Sequence, residues 1–446
     1  MSLKLRGALG EESAKFLPAD CVSGKHIPAS MPSYASLADF YRRPKNPENA
    51  LLASCCKAFA NLTSVLLLAR DAHRIFHLAL PWFPRKGRVR LIFTLEGEKT
   101  MAILSCPLPV PATERIVLAH GGGGRLTNQL IESVFLPAFR NPALESRHDG
   151  AVLSADGVKL AMTTDTYVVQ PLIFPGGTIG DLAINGTVND LAMCGARPIA
   201  LSAGFVLEEG LLLSTLHTIV ASMREAARLA NASVVTGDTK VLDKGRGDGL
   251  FINTAGIGVV VAPNAIGPEA VRPGDAVIVS GNLGSHGIAV LSVREGLEFD
   301  GEVKSDTAPL WPAVEALFDA GIEIHCLRDL TRGGLSSALN EIASVARLNI
   351  EVEESLIPVS DVVRGACELL GLDPLYVANE GRFAAFVPDT QVSRALDVLR
   401  SHQVASRAVR VGTVHETSSA LVTLRTRIGG NRVLDMLSGE QLPRIC

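Results

Sequence analysis

The sequence of 446 residues has few cysteines for its length and no excess of basic side chains. Its eight cysteines form no CxxC pair and no zinc-type spacing, which argues against a disulfide scaffold and favours a reducing cytoplasm. Lys and Arg total 42 against 46 Asp and Glu, a formal charge of −4. Nucleic-acid-binding proteins usually show the opposite balance. We therefore expect a cytoplasmic protein that binds no nucleic acid.

Long apolar segments are also missing. Residues 1–19 lack the apolar centre of a secretory signal. The most apolar region, residues 51–69, is interrupted by Lys57 and Asn61, whereas a membrane-spanning helix needs about 20 mostly apolar residues. We expect no membrane span. Hydrophobic residues make up 47% and charged residues 20% of the chain, as in a globular protein of two or three domains.

Residues 1–112 differ in texture from the rest, because prolines interrupt every short periodic segment. We expect this region to be an N-terminal extension of unknown role that lies outside the functional unit. It is either sequence upstream of the native start or a small accessory helical domain. N-terminal sequencing of the native protein would separate the two, since a mature start near Met1 rules out the first.

From residue 113 onward, strand and helix patterns follow one another in two blocks, 113–263 and 264–426. This mixture predicts two α/β (α+β) domains. Within them we expect a strand over residues 158–164 that ends at Asp165, a helix over 179–194, and a short strand over 234–236. Residues 427–446 carry glycine pairs and Pro443, and predict a mobile C-terminal tail.

The common nucleotide-binding and hydrolase motifs are absent: there is no GxxxxGK[ST], no GxGxxG after a strand, no HExxH and no GxSxG. A different glycine-rich segment is present, namely His120 followed by Gly121, Gly122, Gly123 and Gly124. Successive backbone N–H groups in such a run can surround a phosphate. A plain flexible loop remains the alternative, because glycines serve turns as readily as ligands.

Five aspartates stand near the ends of predicted elements: Asp149, Asp165, Asp190, Asp238 and Asp329. Magnesium prefers oxygen ligands and commonly bridges carboxylates to substrate phosphates. Each aspartate alone is as easily explained as a helix cap or a solvated side chain. Their joint occurrence with glycine-rich neighbours favours a site for magnesium and phosphate.

Two further charged residues could transfer protons. Lys240 directly follows Asp238 and Thr239, and could neutralise phosphate charge. Glu380 lies in the segment ANEGR, and a carboxylate in a closed site can acquire a pKa suited to a general base. A surface ion pair is the alternative for both.

The last residue, Cys446, is the most unusual feature of the tail. A thiol on a flexible arm is a nucleophile that can be presented to different sites, and Arg444 nearby would favour the thiolate. A chance cysteine at the terminus is the alternative. Cys194, Cys326 and Cys367 lie in apolar segments, so we expect them to be buried and unreactive.

Taken together, these segments resemble the HypE family of hydrogenase maturation factors, within the PurM-like superfamily of aminoimidazole ribonucleotide synthetase and selenophosphate synthetase. The resemblance covers about residues 116–446. It rests on the order and spacing of HGGGGRLTNQLI, TTDTYVV, PLIFPGGTIGDLAINGTVNDLAMCGA, GFVLEEG, VVTGDTKV, RPGDAVIVSG, LGSHGIAVL, RDLTRGG, ANEGR and the terminal PRIC.

The resemblance implies a two-domain PurM-like architecture, with ATP and Mg²⁺ between an N-terminal ATP-binding and dimerisation domain and a C-terminal domain. It implies metal ligation by Asp149, Asp165, Asp190 and Asp329. It implies ATP binding by Gly121, Gly122, Gly123, Gly124, Asp165, Asn185, Asp190, Asp238 and Thr239. It further implies that Lys240 and Glu380 handle protons and that Cys446 is the carrier thiol.

The implied activity is ATP-dependent dehydration of an S-carbamoyl group on Cys446 to a thiocyanate, which supplies cyanide ligands to the iron of [NiFe]-hydrogenase. The implied partners are a HypF-like carbamoyltransferase, a HypC–HypD complex and a second copy of the chain. A selenophosphate synthetase-like or other ATP-dependent synthetase of the superfamily is the alternative enzyme, although the glycine-rich segment here has no thiol. A non-enzymatic, nucleotide-binding scaffold is the alternative outside enzymes.

Overall fold

The computed structural model describes residues 77–79, 92–94, 115–299, 301–416, 419–437 and 444–446. The chain divides into two compact units, Met1–Pro111 and Ala112–Cys446. In the first unit, strand β1 (His77–Ala79) pairs antiparallel with β2 (Ile92–Thr94). The expectations for the rest of residues 1–112, including the accessory helical domain, lie outside the described residues.

The N-terminal half of the second unit is a five-stranded sheet in the order β3-β4-β9-β7-β8, in which only β7 and β8 are parallel. A short 3-10 turn, Leu118–Gly121, and a π-helical turn, Ile131–Phe135, accompany the first helices. The elements in chain order are α1 (Arg125–Leu130), α2 (Leu136–Phe139), α3 (Pro142–Glu145), β3 (Ala151–Ala155), β4 (Val158–Tyr167), β5 (Ile173–Phe174), β6 (Gly177–Thr178), α4 (Ile179–Met193), β7 (Ala196–Glu208), α5 (Leu213–Leu229), β8 (Ser233–Leu242) and β9 (Leu250–Val260).

Helix α4 is the central support of this half. Its N-terminus is capped by Thr178, whose hydroxyl accepts from the Gly180 N–H at 3.0 Å. A Cβ at Gly180 would lie 2.4 Å from the Ile219 carbonyl of α5, so only glycine permits this close helix contact. Because α4 is buried almost throughout, its last turn is fixed against the sheet and directs Asp190 towards β4.

The C-terminal half is a seven-stranded sheet in the order β11-β13-β10-β14-β12-β15-β16, antiparallel except for the pair β12 and β15. Its elements are β10 (Asp275–Val279), α6 (Ser285–Glu295), α7 (Trp311–Asp319), β11 (Cys326–Asp329), α8 (Gly334–Ala346), β12 (Asn349–Glu353), α9 (Asp361–Leu370), β13 (Phe383–Pro388), α10 (Val392–Arg400), β14 (Val409–His415), β15 (Val422–Arg425) and β16 (Asn431–Val433).

Both faces of this sheet are covered. Phe386 packs on one face with Leu339 of α8, and Phe383 packs on the other with Leu317 and Leu399 of α7 and α10. Every residue of β10 is therefore buried. The mixture of helices and strands in two successive halves confirms the predicted α/β (α+β) class. No helix among the described residues is long and apolar enough to cross a bilayer.

The predicted helix over residues 179–194 is confirmed as α4, but two strand predictions are wrong at their ends. Strand β4 continues to Tyr167 because it stays paired with β9, so Asp165 lies within a strand opposite Thr254. The short strand expected over 234–236 is the longer β8. It includes Asp238 and Lys240, because its pairing with β7 continues past Gly237.

The described part of the predicted tail packs against the fold. Strand β16 forms the edge of the C-terminal sheet, and Leu434 after it is fully buried. Asp435 binds the Arg125 guanidinium of α1 at 2.8 Å. Residues 444–446 are also described and contact the N-terminal half, whereas the expectation of mobility for residues 438–443 lies outside the described residues.

Candidate active site

A cavity of about 240 Å³ opens between the two halves of the second unit. Many residues singled out from the sequence line it, although they come from distant parts of the chain. They are Gly123, Asp149, Asp165, Asp190, Asp329, Glu380 and Cys446. Six carboxyl groups line the cavity against two guanidinium groups, those of Arg328 and Arg332, so acidic side chains outnumber basic ones and the cavity favours a bound cation.

Three aspartates meet at one point of the cavity. Asp149, Asp190 and Asp329 each offer a carboxylate oxygen, and these three oxygens lie within 4.8 Å of one another. Asp149 stands just before β3, Asp190 in the last turn of α4, and Asp329 at the end of β11. The Thr163 hydroxyl of β4 donates to Asp190 Oδ2 at 2.6 Å and holds it in place. Asp165 lines the same cavity outside this trio.

Burial and mutual repulsion make the charged form of these three carboxyl groups unfavourable. Burial raises the pKa of Asp190 and of Asp329 well above the usual value, and neighbouring carboxylates raise them further. Burial also raises the pKa of Asp149 to about 7, even though the Arg328 guanidinium beside it acts in the opposite direction. Asp149 Oδ2 is buried and has no hydrogen-bond partner. A hard divalent cation such as Mg²⁺ fits this set of oxygen donors and would relieve the repulsion.

Two side chains that the sequence analysis did not single out lie beside Asp149, and one of them binds it. Arg328 Nε binds Asp149 Oδ1 at 2.9 Å, and the same guanidinium binds Glu341 of α8. Burial lowers the pKa of His148 to about 3, so this ring is neutral and its Nε2–H donates to the Met193 carbonyl at 3.1 Å. The segment RDLTRGG contained the signal for Arg328, because an arginine adjacent to a buried aspartate is a natural partner for the acidic cluster.

The glycine-rich segment folds over Arg332, the second arginine of RDLTRGG. Gly123 has a φ of +69°, and a Cβ there would lie 2.5 Å from Arg332 Cβ. Only glycine meets both conditions. Gly123 lines the main cavity, whereas Gly121 and Gly122 line an adjoining one of about 160 Å³. A Cβ at Gly124 would lie 2.5 Å from the Leu437 carbonyl. The segment is therefore a cover that packs closely at Gly123 and Gly124, whereas nothing lies within 4 Å of a Cβ at Gly121.

Glu380 is buried beside the trio. Burial raises the pKa of Glu380 well above its usual value, and Asp329 and Asp306 raise it further. Its Oε1 has no hydrogen-bond partner, so this oxygen is available to a ligand. Its main chain is fixed, because its N–H donates to Asp306 Oδ1 at 3.1 Å and its carbonyl accepts from Asn189 Nδ2 at 3.2 Å. A buried carboxyl group with a raised pKa and one unpaired oxygen can exchange a proton with a bound ligand.

Cys446 lines both cavities. Burial raises the pKa of its thiol to about 12; Glu380 adds to this effect and Arg332 opposes it. The docked thiol is therefore neutral at physiological pH. The expected help from Arg444 is not found, because its guanidinium binds Asp248 instead. Cys194, Cys326 and Cys367 are buried as predicted.

Five predicted site residues line neither cavity within one chain, namely Gly124, Asn185, Asp238, Thr239 and Lys240. Lys240 binds Asp238 at 2.6 Å on the exposed strand β8, and Asp238 and Thr239 line a separate open groove. Strand β8 is three strands from the strand of Asp165, a separation of about 14 Å at the usual spacing. Asn185 is buried in α4 and donates to Thr307 Oγ1 at 3.2 Å.

Comparison with known proteins identifies relatives over most of the chain. Two family models match, "AIR synthase related protein, N-terminal domain" over residues 147–260 and "AIR synthase related protein, C-terminal domain" over residues 272–424. Carbamoyl dehydratase HypE of Azotobacter vinelandii is 49% identical over 331 residues, which cover 74% of this chain and 97% of that protein. Carbamoyl dehydratase HypE of Escherichia coli (strain K12) is 47% identical over 336 residues, covering 74% and 99%.

Solved structures agree with these matches. A crystal structure of hydrogenase maturation protein HypE in complex with ATP superimposes with a TM-score of 0.63 at 47% identity, covering 74% of this chain and all of that one. A crystal structure of a HypE–HypF complex gives a TM-score of 0.66 at 44% identity, covering 69% and 99%. The predicted two-domain PurM-like architecture is confirmed.

Proposed function

Because the chain belongs to the HypE family of AIR synthase related proteins, we propose that it is an ATP-dependent carbamoyl dehydratase that converts a carbamoyl group on its own Cys446 to a thiocyanate. The observation that carries this proposal is that Cys446 lines the same buried cavity as the aspartate trio and Glu380. Such an arrangement offers phosphate chemistry and a base beside the thiol that would bear the substrate.

The chemistry requires the thiocarbamate oxygen to become a leaving group. ATP transfers its γ-phosphoryl group to that carbonyl oxygen, which forms an O–P bond and releases ADP. Glu380 takes one amide proton, and the departing phosphate takes the other as the C–O bond breaks, so that the oxygen leaves as phosphate and a C≡N bond forms. The oxygen of the eliminated water thus ends in phosphate, and the tail carries S–C≡N.

Magnesium fits the oxygen donors of Asp149, Asp190 and Asp329, with Asp165 close by, and when bound it supplies positive charge that offsets the phosphates. Gly121, Gly122, Gly123 and Gly124 cover the phosphates in this proposal. Glu380 accepts an amide proton, because a buried carboxylate with a raised pKa is a stronger base than a solvated one. Burial keeps water from competing for the activated oxygen.

Lys240 takes part only from a second copy of the chain. Within its own chain Lys240 lies on the exposed edge strand β8, and two strands separate β8 from the strand β4 that contains Asp165. We propose a homodimer formed through this sheet, in which Lys240, with Asp238 and Thr239, reaches the nucleotide of the other copy. Asn185 acts from within α4, because it holds Thr307 next to the Asp306 that binds Glu380.

A mixing experiment tests this trans arrangement. Lys240→Ala and Cys446→Ala variants, each inactive alone, should regain part of the wild-type dehydration rate when co-refolded. The mixed dimer then contains one site with both an intact thiol and an intact lysine. A mixture as inactive as its components would contradict action in trans, and the same mixture with Lys159→Ala in place of Lys240→Ala controls for loss of a lysine on the same sheet.

The proposed partners follow from the chemistry of the tail. A HypF-like carbamoyltransferase loads the thiol, in accord with the related HypE–HypF structure, and a HypC–HypD complex accepts the cyanide for the iron of [NiFe]-hydrogenase. The reaction is proposed for the reducing cytoplasm, since a free terminal thiol must stay reduced.

Mass spectrometry of the C-terminal peptide tests the activity itself. After incubation with carbamoyl phosphate, the transferase and ATP, Cys446 should first gain a carbamoyl group and then lose the mass of one water. Cys446→Ala should bind ATP normally and yield no thiocyanate. ATP hydrolysis by the wild type without that mass loss would refute the proposal, as would normal hydrogenase maturation supported by Cys446→Ala.

A further inference from the structure

The docked end of the chain is bound by its main chain. The carbonyl of Cys446 accepts from the Val168 N–H at 3.1 Å, and the carbonyl of Arg444 accepts from the Gln170 N–H at 3.3 Å. These pairs have the register of an antiparallel strand laid beside residues 168–170, a mode used to bind extended peptides. The Ile445 carbonyl points to the other side, where His286 binds it.

His286 forms a fully satisfied contact with the tail. Its ring is entirely buried, and Nε2 lies 2.8 Å from the Ile445 carbonyl while Nδ1 lies 2.8 Å from Ser305 Oγ. A carbonyl oxygen can only accept, so Nε2 carries the proton. Ser305 Oγ accepts from the Thr307 N–H at 3.2 Å and so is free to donate to Nδ1. The neutral ring therefore has one defined tautomer.

Arg294 binds the tail from the same helix, α6. Its Nη2 donates to the Arg444 carbonyl at 2.7 Å and to the Gln170 carbonyl at 2.7 Å, so it joins the tail to the segment beside it. All three final carbonyls thus have donors outside the tail. The Ile445 side chain is buried with Val290 and Ala378 and adds an apolar anchor.

The same contacts lead to the base. His286 binds Ser305, and the next residue, Asp306, accepts the Glu380 N–H at 3.1 Å. The Gly287 N–H beside His286 donates to the Ala378 carbonyl, two residues before Glu380. The tail, through His286, and Glu380 are therefore both bound to the segment Ser305–Asp306. Correct docking of the tail favours correct placement of Glu380 for that reason.

We propose that His286 and Arg294 are positioning residues that hold the tail by its main-chain carbonyls and so set Cys446 beside Glu380. The proposal rests on the proposed function for its purpose, but the docking it describes can be measured without any turnover. Recognition through the main chain, with Ile445 as the apolar anchor, leaves the Cys446 side chain free to carry different groups.

Alkylation of Cys446 tests the docking. Native protein is treated with iodoacetamide, and modification of the C-terminal peptide is followed by mass spectrometry, so other cysteines do not interfere. His286→Leu should raise the alkylation rate about tenfold, the factor expected from the loss of one buried hydrogen bond. Arg294→Met should raise it by a similar factor. His286→Gln, whose amide N–H can replace Nε2–H, should remain close to wild type.

A control separates docking from general damage. His325 is as buried as His286 but binds Asp275, away from the tail. His325→Leu should lower the melting temperature and leave Cys446 alkylation unchanged. An unchanged alkylation rate in both His286→Leu and Arg294→Met would overturn the proposal, and so would equally fast alkylation of His286→Gln and His286→Leu.

The steady-state kinetics of dehydration provide a second test. For carbamoylated protein, His286→Leu should lower kcat for dehydration about tenfold and leave the KM for ATP unchanged, because the tail and not the nucleotide is misplaced. If alkylation responds as expected but no variant, wild type included, forms thiocyanate, the proposed function fails and the docking stands. A raised KM with normal kcat in His286→Leu would overturn the positioning role.

Discussion

The acidic cavity and strand β8 contain the same kind of side chain in opposite environments. In the cavity, Asp149, Asp190 and Asp329 are buried together and their pKa values rise. On β8, Asp238 is exposed beside Lys240, and hydrogen bonding to that lysine lowers the pKa of Asp238. Both regions were singled out by aspartates near the ends of predicted elements, so the sequence pattern alone does not distinguish them. The difference comes from what covers each aspartate in the fold.

This contrast indicates a division of labour. The buried carboxylates repel one another unless a cation or bound protons neutralise them, which suits a metal site. The exposed ion pair of Asp238 and Lys240 on β8 has no such repulsion, and both side chains are accessible to another surface. Variants that change one region and leave the other intact test whether the two regions have these separate roles.

The largest effect is expected from Asp190→Asn. It removes one charge from the trio but keeps the shape, so Mg²⁺-dependent use of ATP should fall about a thousandfold, as expected for the loss of a few kcal/mol of metal-based charge stabilisation. Steady-state ATP turnover measures this. Asp156→Asn, in the exposed turn between β3 and β4, is the matched control and should retain normal turnover. Equal losses in both variants would show that the trio has no special role.

Glu380→Gln should have the next largest effect. The amide keeps the size of the side chain but cannot accept an amide proton, so the dehydration rate should fall about a hundredfold. The thiocarbamate should accumulate while the affinity for ATP is retained. Quenched mass spectrometry of the C-terminal peptide detects this intermediate. Wild-type thiocyanate formation by this variant would remove Glu380 as the base.

Gly123→Ala should destabilise the protein by about 2 kcal/mol, because the left-handed conformation disfavours alanine and the new Cβ would strike Arg332. It should also weaken ATP binding. Gly121→Ala is the matched control, since nothing lies within 4 Å of a Cβ at that position. Chemical denaturation compares the two variants, and equal stability would show that the cover tolerates side chains at both positions.

A smaller effect is expected from pH. The pKa of Asp149 is about 7 in the folded chain, well above the 3.8 of a solvated aspartate, so the folded state holds a proton that the unfolded state releases. Stability without metal should therefore fall as the pH rises from about 4 to about 7 and level off above that range. Relaxation around buried charges should limit the loss to about 1 kcal/mol.

Thermal unfolding at pH 5 and pH 8, with and without Mg²⁺, measures this dependence. Magnesium should restore stability at pH 8 and have little effect at pH 5, where protonated carboxylates bind it poorly. Asp238→Asn should leave the profile unchanged, because that carboxylate is exposed. A profile that rises from pH 5 to pH 8 without metal would contradict the buried, repulsive cluster.

Much of the fold could be predicted because periodicity and caps are local. Helix α4 begins after Thr178 and ends before Gly195, and both signals stand in the sequence. The end of β4 could not be predicted, since the strand continues only because β9 lies beside it. Likewise, the exposure of β8 depends on its place at the edge of the sheet, which no local pattern contains.

The site shows the same limit. Asp149, Asp190, Asp329 and Glu380 could be singled out as chemical groups, and the structure brings them together. Arg328 was missed because its importance arises from contact with Asp149 across a long sequence separation, and His148 was missed because its burial against the Met193 carbonyl is a tertiary contact. Residue type suggests what a group can do, whereas long-range packing decides which groups meet.

The strand-like seating of residues 444–446 has an energetic consequence. Four hydrogen bonds hold three residues, and at about 1 kcal/mol each they nearly balance the about 1–2 kcal/mol per residue needed to order the backbone. Burial of Ile445 adds about 2 kcal/mol in favour of the bound form. The bound and released forms of residues 444–446 are thus close in free energy. A substituent on the Cys446 sulfur that changes the contact energy by about 1 kcal/mol would shift this balance several-fold towards the bound or the released form.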